Sequence, residues 1–149
     1  MKESTVRRLV LALAILGCGL LHTRSNASAA GGFVVMVHKS NEVTALSRGE
    51  LKKVITGGTK QWKSGAAVQL GIIASEAPET QHLSALVEMT PKELLARIQE
   101  QVFKGEMRRP VMLHSSAECV AFARANPGAI CVCSAAISMP PEAHPVTVR

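Results

Sequence analysis

Apolar residues along the chain fall into two alternating kinds of segment. Short dense runs at Phe33–Val37, Val68–Ile73, Val111–Leu113, Ala129–Cys133 and Val146–Val148 have the length of strands. The first, second and fourth are almost unbroken by polar residues, which predicts strands covered by helices on both faces. Between them apolar positions recur every three or four residues: Leu51, Val54 and Ile55; Leu83, Leu86 and Val87; Leu94, Leu95, Ile98 and Val102; Cys119, Phe122 and Ala123. That period is the core-facing stripe of a helix. Three of these segments open on a capping-box spacing, Ser47 with Glu50, Thr90 with Glu93 and Ser115 with Glu118, in which hydroxyl and carboxylate satisfy the free N–H groups of the first turn. Pro78 and Pro91 suit a first helical position, where the missing N–H costs nothing. Glycines at 57–58, Gly105 and the run Asn126-Pro127-Gly128 supply the stops. The order β-α-β-α-α-β-α-β predicts an α/β fold, a three-layer sandwich.

The amino-terminal pattern is different. Lys2, Arg7 and Arg8 precede the apolar run Leu9–Leu21, and Ala27-Ser28-Ala29 follows as a small-residue cleavage site. Residues 1–29 therefore read as a signal peptide and 30–149 as the domain, exported to a periplasmic or secreted location with no membrane span after cleavage. A competing reading takes Leu16-Gly17-Cys18 as a lipoprotein signal acylated at Cys18; the large Leu16 and the apolar Gly19-Leu20-Leu21 count against it. About 120 residues remain, enough for one core. Removing Lys2, Arg7, Arg8 and Arg24 with Glu3 takes the net charge from +6 to +3. Export, this modest charge and the scarcity of aromatic rings (one Trp, three Phe, no Tyr) argue against nucleic acid as a partner.

The segment from Val37-His38-Lys39-Ser40-Asn41 through Leu46-Ser47-Arg48-Gly49-Glu50-Leu51, Thr56-Gly57-Gly58 and Trp62-Lys63-Ser64-Gly65 to Val68–Ile73 resembles the periplasmic phosphate-binding proteins of ABC transporters. That family shows a strand, an Asn-Pro-Val-like turn, a Leu-Ser-x-x-x-Leu helix, a Gly-Lys-like stop and a Trp before the next strand. Pro127-Gly128-Ala129-Ile130 is similar to its Pro-Gly-Ala-Ile-Gly-Tyr stretch, with Cys131 and Val132 replacing the glycine and tyrosine. The likeness covers about residues 33–134. It implies a single lobe of a type 2 periplasmic binding protein-like fold, a small oxyanion such as phosphate as ligand, and an ABC permease or other envelope protein as partner. Ser40, Asn41, Ser75 and Thr80 are the candidate ligand contacts.

The ligand motif itself departs from the family. An arginine followed by Ser-Gly-Thr at a helix start would grip an oxyanion through the guanidinium and free N–H groups. Here Ala74 or Ser75 stands for the arginine, and Pro78-Glu79-Thr80 for Ser-Gly-Thr. Pro78 deletes a donor, and Glu79 brings a carboxylate that satisfies the dipole and repels an anion. The resemblance thus implies solute binding with weak or altered oxyanion affinity. The second reading is a non-catalytic envelope interaction module that keeps the fold without a ligand.

Other chemistry finds little support in the spacing. Gly57-Gly58-Thr59-Lys60 lacks the first glycine of a phosphate loop, and Lys63-Ser64-Gly65 has no Ser-x-x-Lys partner after the leader. Aspartate is absent from the chain, and no nucleophile can be paired with a base by spacing, so no enzyme, cofactor or metal is expected. Cys131 and Cys133 with Cys119 and His114 are a weak soft-metal pattern. The three cysteines allow one bridge at most, from Cys119 to one of the other two, or else serve as small buried apolar side chains. His38 and Lys39 read as solvated strand-end residues. Arg108-Arg109 reads as exposed loop charge, or as an anion or partner contact.

Overall fold

The computed structural model describes residues 32–149; the leader expected over residues 1–29 and the candidate lipidation at Cys18 lie outside them. The elements follow the expected order with one addition. They are β1 (Phe33–His38), β2 (Ala45–Leu46), α1 (Arg48–Ile55), β3 (Gln69–Ile73), α2 (Pro78–Leu86), α3 (Pro91–Phe103), β4 (Val111–Leu113), α4 (Ser116–Ala125), β5 (Ala129–Ser134) and β6 (Ala143–Val148). The six strands form one sheet in the order β2-β6-β1-β5-β3-β4. β3 runs parallel to β4 and β5, and β2 parallel to β6; β1 is antiparallel to both of its neighbours. β1 is thus the single reversed strand.

Alternation along β5 shows how the layers arise. Ile130 and Val132 face one side, where α1, α2 and α3 deliver Leu51, Val54, Ile55, Leu83, Val87, Leu94 and Ile98. Cys131 and Cys133 face the other, under Cys119, Phe122 and Ala123 of α4. The result is the α/β three-layer sandwich, with three helices on one face and one on the other. Phe122 settles over Gly71: a Cβ there would stand 2.8 Å from its ring and 2.7 Å from Leu113 Cδ1.

The helix termini explain most of the boundaries. Ser47 with Glu50 and Thr90 with Glu93 close complete capping boxes. The hydrogen bonds to each box hold the Glu50 and Glu93 carboxyls below the usual carboxylate range. The third box is half formed. Ser115 Oγ accepts from Glu118 N–H, but the Glu118 carboxylate turns back to the N–H of His114 rather than to that of Ser115. Extended φ and ψ at Ser115 lead the chain straight out of β4, which leaves His114 N–H as the donor within reach. Gly57 and Gly105 take positive φ just past α1 and α3, whereas α2 is left through Glu88 at φ 58, a conformation usually reserved for glycine. The other unexpected features are β2, a two-residue strand with no hydrophobic run of its own, and the start of β6 at Ala143, before the apolar tail. Both are held by pairing: Ala45 and Leu46 lie opposite Thr147 and Val148, and Ala143 and His144 lie opposite His38 and Val37.

Glycine at 128 has a steric cause. A Cβ there would come within 1.7 Å of the Ala67 carbonyl oxygen, a backbone atom that no rotamer change can move. Gly128→Ala should therefore lower unfolding stability by about 3 kcal/mol or more, read as a fall in the denaturant midpoint. Gly49 meets nothing within 4 Å, so Gly49→Ala should instead raise stability, by up to about 1 kcal/mol.

Candidate functional site

The carboxyl ends of β3, β4 and β5 share one edge of the sheet, and the amino terminus of β1 joins them because that strand is reversed: Phe33 lies opposite Ser134. Two helices begin at this edge, α2 after β3 and α4 after β4. In an open α/β sheet the crevice outside the carboxyl ends of the strands is where ligands bind.

Local sequence builds the tip of α2. A tight turn closes with Ala77 N–H on Ala74 O at 2.9 Å. Ala77 at the N-cap brings no side-chain acceptor and Pro78 follows at N1, so no side chain caps the N–H groups of Glu79 and Thr80. Thr80 is 1% exposed and its hydroxyl donates to Ile73 O at 2.7 Å, fastening the helix to the strand it follows. Ser75 Oγ donates to the Glu76 carboxylate, which holds that carboxyl below its ordinary range.

Glu79 reaches across to the other helix. Its Oε1 accepts from Ser116 Oγ at 2.7 Å, and Ser116 Oγ in turn accepts from Ser134 N–H at 2.9 Å. Ser116 is the first residue of α4 and Ser134 the last of β5. A carboxylate of the chain itself therefore sits where two helix amino termini and a strand end converge, the electrostatic position that favours an anion. Beneath it lie three thiols, those of Cys119, Cys131 and Cys133. Burial, followed by the Cys119 and Glu79 charges, pushes Cys133 up to about 12, and hydrogen bonding with Cys119 together with burial raises Cys131 further. All three are free and buried. His114 is on the surface, paired with Glu118, and among the described residues no group of His, Cys and Glu is arranged to hold a metal.

Of the four candidate contacts, Ser75 and Thr80 lie at this edge, while Ser40 and Asn41 follow β1 and lie at the opposite one. Asn41 is 1% exposed; its Nδ2 donates to Pro127 O at 2.7 Å and its Oδ1 accepts from Ser64 Oγ at 2.8 Å. Ser40 and Asn41 also border a cavity of about 560 Å³, together with Glu50, Trp62 and Lys63. Ser40 Oγ lies 2.8 Å from His38 Nδ1, a hydroxyl–imidazole pair that spacing alone did not reveal. That nitrogen also accepts Ser40 N–H at 3.0 Å, and Ser40 Oγ has a second acceptor in Pro127 O at 3.3 Å, so the pair closes a turn. Ser116 and Ser134 are the site residues that spacing missed. No sequence signal ties Ser116 to Glu79, 37 positions away.

No protein-family model and no curated protein sequence matches the chain. Solved structures do. A protein from Clostridium perfringens assigned as a phosphate ABC transporter substrate-binding protein, with phosphate bound, superposes with a TM-score of 0.62 at 18% identity over 79% of this chain and 45% of its own. An ABC-type phosphate transport receptor from Vibrio cholerae gives 0.53 at 15% identity, covering 79% and 46%. PstS from Borrelia burgdorferi gives 0.60 at 15% identity, covering 80% and 47%. The chain thus has the fold of one lobe of these proteins and spans less than half of their length.

The buried amide of Asn41 has a partner for each end, so Asn41→Ala should cost about 1–3 kcal/mol of stability by removing its bonds to Pro127 O and Ser64 Oγ. Ser75→Ala, on the surface at the other edge, should stay within about 0.5 kcal/mol of the parent in the same denaturant titration.

Proposed function

We propose that this chain is an exported, non-catalytic solute-binding-like lobe whose anion-attracting edge is already occupied by its own Glu79, so that small oxyanions such as phosphate bind weakly. The hydrogen bond from Ser116 Oγ to Glu79 carries this reading. The N–H groups of Glu79 and Thr80 are the donors this edge keeps for a guest, since the Ser75 hydroxyl already donates to Glu76. An anion approaching them meets the Glu79 carboxylate. Two like charges about 4 Å apart repel by about 1 kcal/mol in water and about 4 kcal/mol at an effective dielectric near 20. No arginine stands at this tip to offset that repulsion; the sequence there is Ala74-Ser75-Glu76-Ala77.

The likeness to phosphate-binding lobes supports a place in the cell envelope, with an ABC permease or another envelope protein as partner. Among the described residues no helix is long and apolar enough to cross a membrane. The same Glu79–Ser116 contact also favours the second reading, an interaction module in which the fold is kept and the ligand is gone.

Calorimetry with phosphate and sulfate separates the two. Millimolar binding that tightens at least about tenfold in Glu79→Gln supports the first reading, because the amide keeps the bond to Ser116 and removes only the charge. No binding in either protein leaves the interaction module. Micromolar phosphate binding by the unaltered chain would overturn the role given to Glu79.

A further inference from the structure

The outer edge of the sheet has features that the anion reading does not use. β4 is the last strand and, among the described residues, pairs only with β3. The backbone N–H and C=O groups on its outer side are therefore open. Beside it, α3 and β4 enclose a groove of about 570 Å³ lined by Ile72, Leu95, Val102, Phe103, Arg109 and Met112. Phe103 is 93% exposed, Met112 58% and Val111 39%, and they lie together around this edge. An open strand edge next to exposed apolar side chains invites strand pairing, and proteins commonly guard such an edge with charge and proline. Arg108, Arg109 and Pro110 stand directly before β4. Neither arginine has a carboxylate within ion-pair distance among the described residues, whereas Arg97 and Arg124 each have one.

We propose that the β4 edge and the α3–β4 groove are a docking site for an extended acidic and apolar segment of another protein, which adds to the sheet as a further strand. Side chains of an added strand alternate between the two faces. One set would lie in the groove against Val102, Phe103 and Met112, and the other beside Val111. A carboxylate near the start of β4 would meet Arg109. Backbone bonds to the open edge supply affinity, and the groove with its arginine supplies selectivity. The amino-terminal segment of the chain is a poor occupant, since its charges are Lys2, Arg7, Arg8 and Arg24 against Glu3, the same sign as the guard residues. A second copy is also disfavoured, because each would bring the same two arginines to the contact. The proposal does not depend on whether the α2 tip takes an anion.

The test is fluorescence anisotropy of the full chain with a labelled peptide of alternating Val and Glu. Two control peptides are used, one with Lys for Glu and one with Pro at alternate positions to remove N–H donors. The expected result is saturable binding of the Val/Glu peptide, about tenfold or more weaker for either control, and weakened about tenfold by Phe103→Ser and by Arg109→Glu. Amide exchange at Val111–Leu113 should slow when the peptide is bound. Both altered residues are on the surface, and an unchanged thermal midpoint verifies that the variants fold. Absent binding, equal affinity for all three peptides or indifference to both substitutions overturns the proposal. So does a dimer of the unaltered chain that Phe103→Ser dissolves, since that assigns the face to a second copy.

Discussion

Two adjacent carbonyl groups, those of Pro127 and Gly128, gather donors from three separate parts of the chain. Pro127 O takes Asn41 Nδ2 and Ser40 Oγ; Gly128 O takes the Trp62 indole N–H at 2.9 Å and the Gln69 N–H at 2.9 Å. The end of β1, the Trp62 turn and the start of β3 are thereby tied to the start of β5, the strand at the centre of the fold. Neutral hydrogen bonds of this kind contribute about 1 kcal/mol each, but a buried partner left without its bond costs more than that. The cluster therefore tolerates little change. It also requires glycine at 128, because the Ala67 backbone occupies the space a side chain would need. With β3 held in register against β5, the position of the α2 tip at the far end of β3 is determined as well.

At that far end two helix starts and a carboxylate of the chain come together. Free N–H groups at a helix start and the positive ends of two helix dipoles favour negative charge wherever it comes from. In this chain the charge comes from Glu79, held by a hydroxyl of the neighbouring helix. The fold is that of one lobe of proteins whose solved members include one with phosphate bound. Fold alone does not carry function; the side chains grafted on it do.

Much of the architecture was legible because its causes are local. A capping box, a proline at N1 and a glycine past a helix end act within a few residues, so Ser47, Thr90, Pro78, Pro91, Gly57 and Gly105 marked their helices correctly. What escaped was set by partners distant in sequence. β2 exists because it pairs with the end of β6, and the first half of β6 because it pairs with β1, not because their own residues demand extension. The Glu118 carboxylate chose His114 N–H over its capping role for a reason visible only once β4 had placed that amide. Residue type pointed to Ser40, Asn41, Ser75 and Thr80 alike, but the reversed direction of β1 carries the first two to the opposite edge from the last two. The pairing of Glu79 with Ser116 likewise depends on β3 and β4 being neighbours with parallel direction.

The layer beneath α4 has a consequence for how the protein can be watched in motion. Cys131 and Cys133 are covered by that helix, Cys119 faces them from it, and the first two hold their protons more tightly than a free thiol. Alkylating reagents attack thiolate, so modification has to wait for the helix to lift away and for water to enter. The pace of labelling then becomes a clock for that excursion, written into the chain without any added dye.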